Sequence, residues 1–488
     1  MNKPIRRVSV FCLLLVLALM IRANWVQGVD ASALNANAHN ERTLIEAYSY
    51  PRGDIIVGGK AVTKDLLVNG NLYKYRRAYV NGPMYAPITG YSSQVFGSNL
   101  LENVEDPILS GNDPRLFFRN ALDTLTGKQK QGGDVVTTID PKVQQAGWDG
   151  LQGKKGAAVA LDPSTGAILG LVSFPSYDPS TIAGANGDAN KAWNALVGDK
   201  TNQPMLNRAL RQTYPPGSTF KLVTAAAALE NGNITDINAP TDTPDVYILP
   251  GTNNVPLPNE AGDTGCKNAS LNTALALSCN TVFGKLGAEI GGARMLDEAQ
   301  KFGFNNSSLT VPVGVTGSNF DKGMGQAQTA QSSIGQYDTR ATPLQMAMVA
   351  AAIANNGSLM QPYLVSQERS ANNSVISQWS PKQLSQATTP EVAAQIQTMM
   401  INVVQNGTGI TAKIPGVTVG GKTGTAQNGV NNSNNPYAWF VSWAKAPNGK
   451  QIAVAVVVED SDTARGDISG MHLAAPIAKA MMQAYIGG

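Results

Sequence analysis

Ser218-Thr219-Phe220-Lys221 sets a hydroxyl and an amine three residues apart, a spacing that places both on one face of a helix. The flanking residues favour such a helix. Pro215, Pro216 and Gly217 oppose an earlier start, the Ala/Leu/Val run that follows propagates it, and Gly232 is a fitting stop. A serine in the first turn lies near the positive end of the helix dipole, where an oxyanion is stabilised. A lysine one turn deeper is desolvated, gives up its proton more readily and serves as base to the serine. The chemistry expected is acyl transfer through a serine, without histidine.

The histidine count agrees. The chain has two, His39 and His472, and three cysteines. His39 falls just beyond an N-terminal apolar segment, and no Gly-x-Ser-x-Gly elbow exists for a triad built on His472. Two histidines and scattered cysteines also give too few ligands for a zinc site.

Other motifs need sorting. A second Ser-x-x-Lys, Ser442 to Lys445, falls on an expected strand, where positions three apart face opposite sides. Ser-x-Asn begins at Ser110, Ser270, Ser278, Ser370 and Ser433. Lys422-Thr423-Gly424 occurs once, inside the Gly-flanked strand Val419-Gly-Gly-Lys-Thr-Gly-Thr-Ala426. Its bare backbone would let a peptide-like substrate lie alongside as an added strand, with Lys422 and Thr423 on a carboxylate. Singly, these motifs read as a helix cap, a solvated loop and an edge-strand lysine. In the order Ser-x-x-Lys, Ser-x-Asn, Lys-Thr-Gly they read as one site.

Stepping outward to what must hold that site, 488 residues allow two or three domains. A net charge of +3 with mixed signs carries no signal of a nucleic-acid binder. Lys3, Arg6 and Arg7 precede an uncharged apolar stretch over residues 8–21. That is short of the roughly 20 residues a spanning helix needs, but Arg22 can snorkel and residues 23–29 extend it, and no good Ala-x-Ala cleavage site follows. Residues 1–30 are therefore expected to be a cytoplasmic stub and uncleaved anchor, with the rest outside the cytoplasm. Cys12 lies in the anchor as a small hydrophobe. Cys266 and Cys279, in an oxidising compartment, are a candidate disulfide worth roughly 3 kcal/mol by loop closure.

Residues 31–152 read as a non-catalytic, mixed α/β pedestal of the dimerisation type. It holds short strands at Asp54-Ile-Ile-Val57 and Asp134-Val-Val-Thr-Thr138 and a helix near residues 114–125. From 153 to 488 the pattern sharpens. A hairpin turns at Asp162-Pro-Ser-Thr-Gly166, helices fill the middle, including one from Thr342 to Ala354, and three late strands precede a terminal helix from His472 to Tyr485. A sheet built from both ends of a segment with helices between is an α+β sandwich.

The three motifs, with Asp162-Pro-Ser-Thr-Gly166, Phe174-Pro-Ser-Tyr-Asp-Pro179, Ser333-Ile-Gly-Gln336, Thr342-Pro-Leu-Gln345 and Gly407-Thr-Gly409, resemble the class B penicillin-binding proteins over nearly the whole chain. The resemblance implies a five-stranded antiparallel sheet with a helical subdomain. It implies Ser218 as acylated nucleophile, Lys221 as its base, Ser278 as proton relay, Asn280 on the substrate amide and Lys422 setting the site's potential. Thr423, Gly424 and Thr425 would form the substrate-binding strand, and the backbone N–H groups of Ser218 and Thr425 the oxyanion hole. It further implies a membrane-anchored D,D-transpeptidase acting on peptidoglycan stem peptides ending in D-Ala-D-Ala, inhibited by β-lactams, with no metal or organic cofactor. Septum formation, cell division and divisome partners go with it. Alternatives are a serine β-lactamase or D,D-carboxypeptidase, though no Glu-x-x-Leu-Asn pattern is present, and a non-catalytic division scaffold. No glycosyltransferase domain is expected. The family's Arg-Gly-x-Ile-x-Asp-Arg-Asn-Gly signature survives only in its first half, as Arg52-Gly-Asp-Ile-Ile-Val-Gly-Gly59.

Overall fold

The structure is a computed structural model that describes residues 3–30, 34, 45–68, 72–116, 127, 129–260, 264–429 and 432–487. Its main sheet is antiparallel and five-stranded. The order across it is Thr418–Ala426, Tyr437–Lys445, Gln451–Ser461, Lys154–Leu161 and Ile168–Phe174. The strands read as continuous apolar runs because both faces are covered. Ala157, Val159, Ala453, Ala455 and Val457 face the helical block, while Ala158, Ala160, Val454 and Val456 face the opposite layer. That layer is the terminal helix Ala475–Ile486 with Pro141–Leu151 beside it.

The terminal helix begins three residues later than the sequence suggested. A wide turn, Gly470–Ala474, comes first. Pro476 explains the change, since it has no N–H to continue an α-helical ladder back to His472. On the other face, Pro343–Ala354 is capped by the Thr342 hydroxyl and buried along nearly its whole length, as is Lys221–Glu230. Pro343–Ala354 packs directly on the main sheet.

The pedestal has a second five-stranded sheet, ordered Val375–Gln378, Val365–Arg369, Asp134–Thr137, Ile55–Val57, Lys60–Ala61. Two of these strands come from far along the chain. They and helix Pro141–Leu151 cross the division expected at residue 152. The helix expected near residues 114–125 is a short 3-10 turn over Pro114–Leu116, and the remainder falls outside the described residues.

The truncated Arg-Gly signature has a clear structural use. Arg52 donates to Asp106 at 2.6 Å and to Glu102 at 3.1 Å, and Arg77 meets Glu102 at 2.6 Å and the Gly53 carbonyl at 2.7 Å. Gly53 admits no side chain, because a Cβ there would sit 1.8 Å from the Gly133 carbonyl oxygen. The half that departs from the family pattern makes a two-residue hairpin turn, with Gly58 and Gly59 both at positive φ.

Lys3–Gly28 is one continuous 26-residue helix, long and apolar enough to cross a membrane.

Candidate active site

The nucleophile segment opens with a 3-10 turn, Gly217–Phe220, and the α-helix proper starts at Lys221. The sequence had put Ser218 in the first α-turn. The tighter turn arises because the chain is held at each step. Tyr214 exchanges backbone hydrogen bonds with Ala341, the Pro215 carbonyl accepts from the Trp439 indole at 3.0 Å, and the Pro216 carbonyl accepts from the Thr219 hydroxyl at 2.6 Å. The Gly217 N–H donates to the Gly335 carbonyl at 2.9 Å. Gly217 adopts φ +54°, and a Cβ on Gly335 would lie 2.1 Å from the Gly217 oxygen. Ser333-Ile-Gly-Gln336 is therefore a brace for this turn, and Ser333 also accepts from Thr224 through its carbonyl.

Ser218 lies at the floor of a cleft of about 480 Å³ that Asn280, Gln336 and Thr425 also line. Lys221 is fully buried. Its Nζ donates to the Ser278 carbonyl at 2.5 Å and to Asn280 Oδ1 at 2.8 Å, and reaches Ser278 Oγ at 3.4 Å. It also sits 5.6 Å from the centre of the Phe283 ring. From the opposite side Lys422, equally buried, donates to Ser278 Oγ at 2.9 Å and to the Thr423 carbonyl at 2.9 Å. The Ser278 hydroxyl thus bridges two amines, an arrangement able to pass a proton between them.

Ser278 reaches that position through a left-handed backbone, φ +64°, at the end of helix Leu271–Leu277. Asn280 opens the next helix, Asn280–Ile290, and the Cys266–Cys279 disulfide fastens the turn between them. The other Ser-x-Asn matches are elsewhere; the Ser270 hydroxyl, for example, caps its own helix at Thr273. Ser442 is buried while Lys445 is exposed, so that pair is split as expected.

The Lys422 strand is at the edge of the main sheet, with no further strand paired to its outer side among the described residues. Its glycines also serve packing within the sheet. A Cβ on Gly420 would meet the Trp443 ring at 2.5 Å, one on Gly421 the Phe440 ring at 2.5 Å, and one on Gly424 the Pro216 oxygen and Thr219 Cγ2 at 3.1 Å. Small residues here bring the nucleophile turn and neighbouring aromatics close to the strand; the open edge alone is available for pairing.

Several contributors were not visible as such in the sequence. The Thr408 hydroxyl contacts that of Thr423 at 2.6 Å, and Gly407 docks where a Cβ would be 2.4 Å from the Ala276 oxygen. Behind the nucleophile turn the Tyr214 hydroxyl donates to Glu459 at 2.9 Å, and Glu459 pairs with Arg208 and Lys155 at 3.2 and 2.8 Å. Burial, then the Glu459 charge, pushes the Tyr214 phenol well above its ordinary range, so it stays a donor. No short-range pattern links residues 155, 208, 214 and 459. His472 is exposed, its ring near the Asp467 carbonyl.

Residues 156–483 match the penicillin-binding protein transpeptidase domain, and residues 52–135 the penicillin-binding protein A dimerisation domain. Over its full length the chain is 40% identical to peptidoglycan D,D-transpeptidase PbpA of Mycobacterium tuberculosis, all of which is covered. It is 41% identical to the PbpA of Mycolicibacterium smegmatis, with 99% of that protein covered. Penicillin-binding protein A from M. tuberculosis, solved as a ceftriaxone acyl-enzyme complex, superposes with a TM-score of 0.85 at 40% identity, over 91% of this chain and all of that one. The chain belongs to the penicillin-binding protein transpeptidases.

Proposed function

We propose that this protein is a peptidoglycan D,D-transpeptidase whose acyl-enzyme forms on Ser218. The observation that carries the assignment is the hydrogen-bonded chain Lys221–Ser278–Lys422, joined through Asn280 to the cleft that Ser218 lines. Ser218 Oγ attacks the carbonyl of the penultimate D-Ala while Lys221, as the free amine, takes the hydroxyl proton. The developing oxyanion is held by the Ser218 and Thr425 N–H groups. The C–N bond to the terminal D-Ala then breaks, and Ser278 passes a proton to the departing nitrogen. An amine from a neighbouring stem peptide attacks the ester, and the serine oxygen leaves with its proton restored. Asn280 holds the substrate amide, Thr423 and Thr425 bind the terminal carboxylate, and Lys422 supplies the positive potential that draws it in. The substrate pairs with the open edge at Gly424. β-Lactams acylate the same serine.

Residues 1–30 would anchor the chain, with residues 31–152 as pedestal and 153–488 as catalytic domain on the extracytoplasmic side. The setting proposed is septum formation during division, in contact with divisome proteins.

The test is intact-mass analysis of the detergent-solubilised chain incubated with penicillin, with the adduct mapped by peptide digestion. One persistent adduct on Ser218 is expected. Rapid loss of the adduct with drug turnover would make the protein a β-lactamase, and no adduct would end the catalytic reading.

A further inference from the structure

One wall of the active-site cleft has no part in the transfer chemistry as described. Strands Tyr247–Ile248 and Pro256–Leu257 form a short hairpin, and its outgoing leg, residues 256–260, lines the cleft with Ser218 and Asn280. Leu257 seats the leg on helix Asn280–Ile290 over Gly284, where a Cβ would lie 2.3 Å from Leu257 Cδ2. The next two residues of the leg reach the start of that helix. The Pro258 carbonyl accepts from Asn280 Nδ2 at 3.1 Å. Asn259 Oδ1 accepts from the Thr281 N–H at 3.1 Å, and Asn259 Nδ2 donates to the Thr281 hydroxyl at 3.2 Å. Thr281 is fully buried.

We propose that Asn259 is a positioning residue for acyl transfer and acts through Asn280. The first N–H groups of a helix find no partner within it. Cys279, at the cap position, offers none from its side chain, which is bonded to Cys266. Asn259 takes that place from the hairpin leg. Held there, it sets the adjoining Pro258 carbonyl against the Asn280 amide. An asparagine amide has distinct donor and acceptor ends, and its nitrogen carries two hydrogens. With one of them on Pro258, Oδ1 is turned to Lys221, which it meets at 2.8 Å. The second hydrogen is left for a substrate carbonyl. Without Asn259 the leg loses its tie to Thr281, and the Asn280 amide can turn over. Its NH2 would then face the Lys221 amine, and its oxygen would face the substrate carbonyl.

The inference rests on the roles proposed above for Ser218 and Asn280, and the experiment separates the two. Acylation efficiency of the detergent-solubilised full chain is measured by rapid quench and intact mass with two compounds. Benzylpenicillin carries a side-chain amide for Asn280 to hold; the unacylated penicillin nucleus, with a bare amine, does not. Asn259→Ala should slow benzylpenicillin about 20-fold and the bare nucleus only about threefold, the part lost through Lys221. Asn259→Asp keeps the acceptor for the Thr281 N–H and should stay within about threefold of the parent on both. In an Asn280→Ala background, Asn259→Ala should cost nothing further, because its effect runs through that amide. Equal losses on the two compounds overturn the proposal. So does an undiminished loss in the Asn280→Ala background, or an Asn259→Asp protein that melts with the parent yet is as slow as Asn259→Ala. A parent that neither compound acylates removes the Ser218 reading and this inference together.

Discussion

In the pedestal Arg52 and Arg77 are buried against carboxylates, whereas in the cleft the oxygens of Ser278, Asn280 and Thr423 that receive Lys221 and Lys422 are uncharged. The consequences differ in kind. Burial alone would raise the Glu102 carboxyl, but Arg77 and then Arg52 outweigh it and hold it below the usual carboxylate range. That cluster has its charges matched and its protons fixed, so it serves to lock the chain. Neutral acceptors around an amine leave its proton available for transfer, which is what a base and a relay need. One region uses cations for shape, the other for chemistry.

Substitutions should separate these two uses. The largest effect expected is from Lys221→Met, which should slow penicillin acylation about 1,000-fold while the melting temperature changes little. Stopped-flow acylation and calorimetry on the same sample check it; a fall in stability matching the rate loss would show that the lysine is structural. Glu102→Gln should do the reverse. It leaves two buried guanidinium groups short of a counter-charge, at a cost of about 3 kcal/mol, with the acylation rate unchanged. Because the Glu102 carboxyl is held low in the folded state, its contribution is present above the ordinary Glu range and is lost as pH falls. The gap between parent and variant should therefore narrow in acid, as denaturant titrations would reveal.

A third buried charge sharpens the contrast. Glu298 is 1% exposed, yet its partner Lys301 is 43% exposed, and one carboxylate oxygen has no hydrogen bond among the described residues. Burial, only partly offset by Lys301, pushes it up to about 7. Between the ordinary carboxylate range and pH 7 the unfolded chain loses this proton and the folded chain keeps it, so stability falls as pH rises. Glu298→Gln should remove that slope, gaining on the order of 2 kcal/mol on the parent from pH 5 to 8. Parallel unfolding curves at both pH values would contradict it. The smallest effect expected is at Tyr214→Phe, which cuts the nucleophile turn from Glu459. Acylation should slow about tenfold, in the chemical step more than in binding, because the cost is misplacement of Ser218. Loss confined to drug affinity would refute that positioning role.

Much of this protein could be read from its sequence, for physical reasons. The Ser-x-x-Lys spacing, the Lys-Thr-Gly strand and the Gly/Pro punctuation are local, and local geometry depends on residues close in the chain. The continuous apolar runs at residues 157–161 and 452–458 identify strands because each must bury both faces. The N-terminal helix, long and apolar enough to cross a membrane, follows from local composition. What the tertiary structure decided is non-local. Only folding brings Ser278 between Lys221 and Lys422 and turns it left-handed. Only folding gathers Lys155, Arg208, Tyr214 and Glu459 behind the nucleophile, or adds strands from residues 365–378 to the pedestal sheet. The strand glycines show the limit most clearly. Sequence could say that the strand's backbone is bare, but the atoms that exclude a side chain come from Trp443, Phe440 and the nucleophile turn, whose approach is set by packing across the sheet.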